Sequence, residues 1–417
     1  MKIIGSFKQI LPLTYLPYKG AVKDEQLQVI ENGAVVVDKE VIVAVGTFEQ
    51  VRREFPEAEI EEIENTCVLL PSFIDCHTHT CFAGSRANDF AARNAGKSYL
   101  EIAQAGGGIW STVQQTRQAS ENDLVQLTRQ RVEQFLKEGI TTIEIKSGYG
   151  LDKENELKML RAIKKVQAQT QAQIISTCLA AHIKPKDFQG DNKAYLKEVL
   201  HDFLPQIKKE NLCQRVDIFI EKTAFNAEES EWFLLEAKQM GFDLTIHADQ
   251  FTPMGAEVAV KVGAVSADHL EASTDSQIEL LAKSNTVAVV LAGASMGLGE
   301  PFAPARQLLD AGACLAIASD FNPGSAPMGK LLLQASVLAC YQKLSTAEVL
   351  AGLTFRAAKA LNINHIGKIA VGYRADLQAY PCADYREILY QQGRLLPQYV
   401  WKSGKCIFPD SAPQRKK

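Results

Sequence analysis

The sequence predicts an α/β protein: a (β/α)8 TIM barrel carrying a small β-sandwich built from the two ends of the chain. Three observations point there. Apolar, β-branched runs alternate with amphipathic stretches through the middle of the chain, the pattern of parallel strands covered by helices. Eight such runs can be counted, the number that closes a barrel. Both ends read instead as short strands and turns, so they pair best with each other.

Composition narrows the class. A chain of 417 residues needs more than one small core. Hydrophobic content of 46% and charged content of 23% are those of an ordinary soluble protein. The net charge of −4 offers no basic surface for nucleic acid. Residues 1–20 lack a basic start followed by an apolar segment. The longest apolar run, Val287 to Ala294, is far short of the ~20 residues that cross a bilayer. No membrane contact is therefore expected. The nine cysteines are scattered without a Cys-x-x-Cys pair, as expected of free thiols in the cytoplasm.

Taken in order, residues 1–66 begin with strands and turns. Gly33 to Gly46 is a hairpin around Asp38, Lys39 and Glu40. So small a meander cannot stand alone. Its expected partners are Gly367 to Gln378 and Gln398 to Phe408, which gives one sandwich from 1–66 and 367–417 around a barrel at 67–366. The barrel strands are Cys67 to Cys76, Thr141 to Lys146, Ile174 to Ala181, Val216 to Glu221, Leu244 to Ala248, Val265 to Leu270, Val287 to Ala292 and Cys314 to Ser319. Glu121 to Glu138 and Glu154 to Val166 are amphipathic helices between them. An open, doubly wound sheet is the alternative, but it calls for a glycine-rich nucleotide turn after its first strand. The glycine run Gly106, Gly107, Gly108 is distant from such a turn and reads as a tight or mobile loop.

Polar residues at the C-terminal ends of barrel strands belong to the active face. The first strand ends in His77 and His79, the third in His182, the fifth in His247, the sixth in His269 and the eighth in Asp320. Only His201 and His365, of seven histidines, lie elsewhere. Alternation along a strand points His77 and His79 the same way. With His247 and Asp320 they make one nitrogen and oxygen metal site. Such a centre is hydrolytic when a coordination position is left to water, because the cation lowers the pKa of that water toward ~7. Asp320 can touch the metal and take the water's proton, while His269 and His182 flank it.

This set, with its split sandwich, resembles the amidohydrolase superfamily. The finer motifs are similar to those of its imidazolonepropionase family, which opens 4-imidazolone-5-propanoate to N-formimidoyl-L-glutamate in histidine degradation. They are 75–86 (DCHTHTCFAGSR), 98–109 (SYLEIAQAGGGI), 144–151 (EIKSGYGL), 247–250 (HADQ), 267–271 (ADHLE) and 319–325 (SDFNPGS). The resemblance implies one Zn or Fe ion on His77, His79, His247 and Asp320. It implies substrate contacts at Arg86, Tyr99, Tyr149, His182, Gln250, Asn322, Gly324 and Ser325. Arg86 suits the propionate, since a guanidinium fork matches a carboxylate. Asp320 would shuttle the proton while His269 and His182 bind the oxygen that becomes negative. Gln250 stands where superfamily deaminases carry a glutamate, and it has no ionisable proton. Superfamily members that bridge two metals do so with a carboxylated lysine on the fourth strand. Lys146 ends the second, and Lys222, after the fourth, belongs to no matching motif, so one metal is expected. The alternatives are another cyclic amidase, a nucleobase-type deaminase, or a catalytically silent binding protein; the complete ligand set argues against the last. The expected partner is a small-molecule substrate, and the expected assembly a homodimer, the commonest closed form.

Overall fold

The computed structural model describes residues 1–63 and 66–409, with a two-residue strand at Arg415–Lys416. The first strands are β1 (Lys2–Ile10), β2 (Ile30–Asp38), β3 (Val41–Thr47), β4 (Glu59–Glu62) and β5 (Val68–Pro71). Barrel strands follow: β6 (Phe73–Asp75), β7 (Ile140–Lys146), β8 (Gln173–Ala181), β9 (Arg215–Phe219), β10 (Asp243–Ala248), β11 (Ser266–His269), β12 (Val287–Val290) and β13 (Leu315–Ile317). The chain closes with β14 (Leu377–Tyr380), β15 (Tyr399–Lys402), β16 (Lys405–Phe408) and β17 (Arg415–Lys416).

The outer sheet has the order β16-β15-β14-β5-β1-β2-β3, with β4 on β1 and β17 on β4. The expected hairpins are there: β2 with β3, and β15 with β16. Strand β14 runs antiparallel to β5, placing Leu377 opposite Pro71 and joining the two ends of the chain. Trp401 of β15 is three strands from Phe7 of β1, a flat distance of about 14 Å at the usual strand spacing. Their rings nevertheless meet edge-on at 6.2 Å. The sheet therefore curls over a core that includes Ile4, Phe7, Val35, Leu69, Leu377 and Trp401, which gives it its sandwich character.

All eight barrel strands lie side by side and parallel, from β6 to β13. The run expected as one strand, Cys67 to Cys76, is two. Strand β5 belongs to the outer sheet and β6 to the barrel, with Ser72 between them bonded to the Asp376 carbonyl at 3.0 Å. Every residue from 67 to 75 is buried, so no polar residue marks the switch. The fourth barrel strand also stops at Phe219, short of Glu221. Backbone bonds past the strand ends bring β6 and β13 together: Asp320 N–H to the His77 carbonyl at 3.1 Å and His79 N–H to the Phe321 carbonyl at 2.9 Å. Asp75 adds a side-chain clasp, its Oδ1 accepting from Ser319 N–H at 3.0 Å.

Local signals explain the main outer helices. Glu121–Lys137 starts at a Ser120–Asp123 capping box, and Lys153–Gln167 at Asp152, whose side chain accepts from Asn155 N–H. Among the described residues no helix is long and apolar enough to cross a membrane. The curled outer sheet sets a stability test. Trp401→Ala is expected to cost about 3–5 kcal/mol, read as a lower urea midpoint; an unchanged midpoint would mean the core around Trp401 carries no weight.

Candidate metal centre

The strand-end ladder that closes the barrel also aims its side chains. Thr78 bridges to Phe321 in parallel, so His77 and His79 face the same side and Asp320 meets them across the seam. The His77 and His79 rings are 5.4 Å apart, and His247 lies 4.5 Å from the first and 5.2 Å from the second. Asp320 Oδ1 is 3.6 Å from His77 Nε2 and 3.4 Å from His79 Nε2. His247 Nε2 is 3.2 Å from His79 Nε2.

This geometry fits a cation. His77 Nε2 and Asp320 Oδ1 are buried and have no hydrogen-bond partner, an expensive state for a polar atom unless something fills the gap. The ligand atoms of His77, His79 and His247 lie within 4.8 Å of one another, as do those of His77, His269 and Asp320. Burial, then mutual repulsion, pushes His79 well below the usual imidazole range. His77 is lowered likewise by burial and by Lys146, and His247 falls to about 3 through burial despite Asp217. All three are therefore neutral, the form that ligates.

Two of the three outer nitrogens face a carboxylate, while His79 Nδ1 has no hydrogen-bond partner. His77 Nδ1 is 2.7 Å from Asp268 Oδ2, the oxygen that also accepts from Thr245 Oγ1, and His247 Nδ1 is 2.9 Å from Asp217 Oδ2. The Asp268 bond fixes the proton on His77 Nδ1, the negative Asp217 carboxylate favours it on His247 Nδ1, and both leave the Nε2 lone pair facing inward. Beneath both sits Lys146, whose Nζ is 2.9 Å from Asp217, 4.0 Å from Asp268 and 2.8 Å from Glu144. Burial opposes its charge, but Asp217 and Glu144 more than offset this, so its pKa is raised. Asp217 lies well below the carboxylate range, because His247 and Lys146 outweigh burial. Asp268, farther from the ammonium, is pushed up to about 7 by burial. Glu144 accepts from Thr78 N–H at 3.2 Å and so also holds the backbone between the two first-strand histidines.

The flanking groups differ in kind. His269 Nδ1 is 3.4 Å from Glu271 Oε2; burial lowers its pKa, but Glu271 and Asp320 reverse this and raise it. His182 Nδ1 donates to the Gly148 carbonyl at 3.1 Å, and burial lowers it to about 4. Its Nε2 is therefore an acceptor, not the donor to a developing oxyanion that the sequence reading expected. Asp320 is pushed up to about 6 by burial, with His269 pulling the other way. His269 and Asp320 sit at φ +90° and +51°, strained values of the kind stored at functional sites.

Tyr149 is buried with its ring 5.8 Å from His79 and 5.7 Å from His182. The Glu156 carboxylate shapes its loop by accepting from the N–H groups of Gly148, Gly150 and Leu151. Gly148 itself has φ +107° and no room for a side chain, since a Cβ would fall 2.9 Å from the Leu179 carbonyl oxygen. Asn322 donates to Asp320 Oδ2 at 2.9 Å, and Ser325 Oγ lies 3.3 Å from it. A Cβ built on Gly324 would meet Arg86 Nη1 at 3.3 Å, so Arg86 reaches this turn. Gln250 is half-buried on the loop after β10. Tyr99 begins the helix Tyr99–Gln104, and its side chain lies outside the described residues. The sequence reading missed Asp217, Asp268, Glu144 and Glu156. For the first three, an acid inside a buried strand was the available signal, because burying one is costly without a partner; Glu156 lies in the helix Lys153–Gln167 and carried no such signal.

Comparison with known proteins agrees with this architecture. A model of the amidohydrolase family matches residues 68–407, and one of the bacterial imidazolonepropionase-like composite domain matches residues 33–58. The imidazolonepropionase of Bacillus mycoides (strain KBAB4) is 42% identical over 385 residues, covering 92% of this chain and 90% of the relative. That of Bacillus thuringiensis (strain Al Hakam) is 43% identical over the same shares. Among solved structures, an adenosine deaminase from Xanthomonas campestris with bound zinc aligns at TM-score 0.69 and 20% identity, covering 97% of this chain and 92% of that one. The Helicobacter pylori aminofutalosine deaminase aligns at 0.71 and 16%, covering 98% and 100%. Likeness at these identities speaks for the fold alone.

The ammonium beneath the imidazoles yields a test. Lys146→Met is expected to lower zinc affinity about 10–100-fold, the usual cost of losing support behind a ligand, with far-UV circular dichroism unchanged. Competition against a chromophoric chelator measures it. Unchanged affinity would show that Asp217 and Asp268 hold their imidazoles unaided.

Proposed function

The chain belongs to the imidazolonepropionase family of the amidohydrolases, and from that premise we propose which of its residues carry the reaction. It is a hydrolase of a cyclic amide, cleaving the ring C–N bond of 4-imidazolone-5-propanoate to give N-formimidoyl-L-glutamate. The observation that carries the site assignment is the pair of buried, partnerless atoms, His77 Nε2 and Asp320 Oδ1, facing His79 and His247. These four residues are assigned one Zn or Fe ion. Bound there, such a cation supplies a water acidic enough to attack a carbonyl at neutral pH.

The remaining steps belong to side chains. Asp320, with Oδ1 toward the cluster and Oδ2 held by Asn322 and Ser325, takes the proton of the attacking water and hands it to the departing ring nitrogen. A carboxylate with one oxygen toward the cluster and the other held by side chains is placed to accept and release a proton. His269, whose Nδ1 faces the Glu271 carboxylate at 3.4 Å, stabilises the carbonyl oxygen as it becomes negative. His182 accepts from a ring N–H through Nε2. Arg86 binds the propionate, and Tyr149, Gln250, Gly324 and Tyr99 complete the pocket around the ring and chain. Gln250 supplies hydrogen bonds but no proton, which suits amide hydrolysis better than release of ammonia. A cytoplasmic homodimer is proposed with this reading: the cysteines are all free thiols, as a reducing compartment keeps them.

Two expected outcomes check the assignment. Replacing His247 with Ala should remove most bound metal, and activity with it; a fully active, verified metal-free protein would overturn the ligand set. His269→Ala should keep its metal while turnover falls by ~10²–10³, the worth of one fixed donor to an oxyanion. Stoichiometric ammonia release in the same assay would point to deamination instead.

A further inference from the structure

We propose that Asp89 positions Arg86 for the substrate carboxylate and ties that contact to the glycine loop 105–108. The inference rests on the reading of Arg86 as the carboxylate anchor. In the helix Ala87–Asn94, Asp89 is the one buried residue. Polar contacts, not an apolar face, therefore hold this helix to the barrel. Arg93 makes one set, donating to the Gly297 carbonyl at 2.5 Å and the Gly324 carbonyl at 3.3 Å. Asp89 makes the other: its Oδ2 accepts from Arg86 Nε and from Gly108 N–H, the latter at 2.9 Å.

That grip leaves a defined end of the guanidinium free. Arg86 is bonded through Nε alone among the described residues, and its Nη1 lies against Gly324, in the turn that follows Asp320. Two terminal nitrogens beside the metal cluster form a fork that fits a carboxylate end-on. The glycine loop reaches Asp89 only because it carries no side chains there. A Cβ on Gly107 would fall 2.4 Å from Asp89 Oδ1, and Gly106 and Gly108 adopt φ of +87° and +76°. A carboxylate arriving at Nη1 and Nη2 shares one cation with Asp89, and Asp89 in turn shares its oxygen with the loop. Anchoring the propionate is thereby felt at residues 105–108.

Kinetics of the metal-loaded enzyme test this. Asp89→Asn keeps the shape and removes the charge, so KM for 4-imidazolone-5-propanoate should rise about tenfold, the scale of a charge-assisted contact, while kcat and metal content hold. With the carboxamide analogue of the substrate, variant and wild type should share one KM. Gly107→Ala, which pushes Asp89 aside, should move KM in the same direction and carries the test if Asp89→Asn fails to fold. Imidazole-4-propionate should slow hydrogen exchange across residues 98–110 in the wild type and not in Asp89→Asn. Wild-type KM in both variants, while Arg86→Ala raises it, overturns the inference, as does a fall in kcat at constant KM. Absence of protection in the wild type overturns the link to the loop. An Arg86→Ala enzyme with unchanged KM instead removes the anchor reading beneath it.

Discussion

A single buried ammonium sets the terms for the rest of this barrel. Lys146 lies between Asp217 and Asp268, and those two carboxylates orient His247 and His77. Three acids and a lysine in a dry interior cost several kcal/mol per uncompensated ion, so each needs the others. The barrel is accordingly divided. Strands β7, β9 and β11 carry Glu144, Lys146, Asp217 and Asp268, while β6, β12 and β13 contribute Ile74, Val287, Val289 and Ala316 to an apolar cluster. A barrel of this kind is ordinarily filled with branched aliphatic side chains. Here half of that filling is exchanged for charge that aims ligands.

The same exchange explains where strain collects. His269, Leu270 and Asp320 all have positive φ without being glycine. Each sits where a strand ends, and two are pinned by backbone bonds: Leu270 N–H to the Ala248 carbonyl and Asp320 N–H to the His77 carbonyl. Stability gained in the surrounding core holds these residues in conformations they would not choose, which is how side chains reach a common point from five different strands.

Much of this was legible in the sequence, for physical reasons that can be named. Barrel strands such as Thr141–Lys146 are buried on both faces and so read as unbroken β-branched runs. Histidines at their ends stood out because the residue is rare in this chain. The division between β5 and β6 was hidden, because both sheets bury their strands completely and Ser72 is too small a signal. Asp217 and Asp268 were invisible as a pair: their partnership depends on the register of β9 and β11 against β10, which no local pattern encodes. The role of His182 was misjudged because the ring nitrogen that faces the site follows from the Gly148 carbonyl, a backbone atom without a signature.

The junction at Ser72 also bears on how the chain is made. Strand β5 leads directly into the first barrel strand, yet its antiparallel neighbour β14 pairs residue 71 with residue 377. At ribosomal speeds of about 5–20 residues per second, that partner is synthesised some tens of seconds later. Throughout that interval Val68 to Pro71 is a fully apolar strand with one edge open, the form most prone to pairing with another chain. The strand that leads into the one placing His77 and His79 thus waits for its cover until nearly the whole barrel has been made.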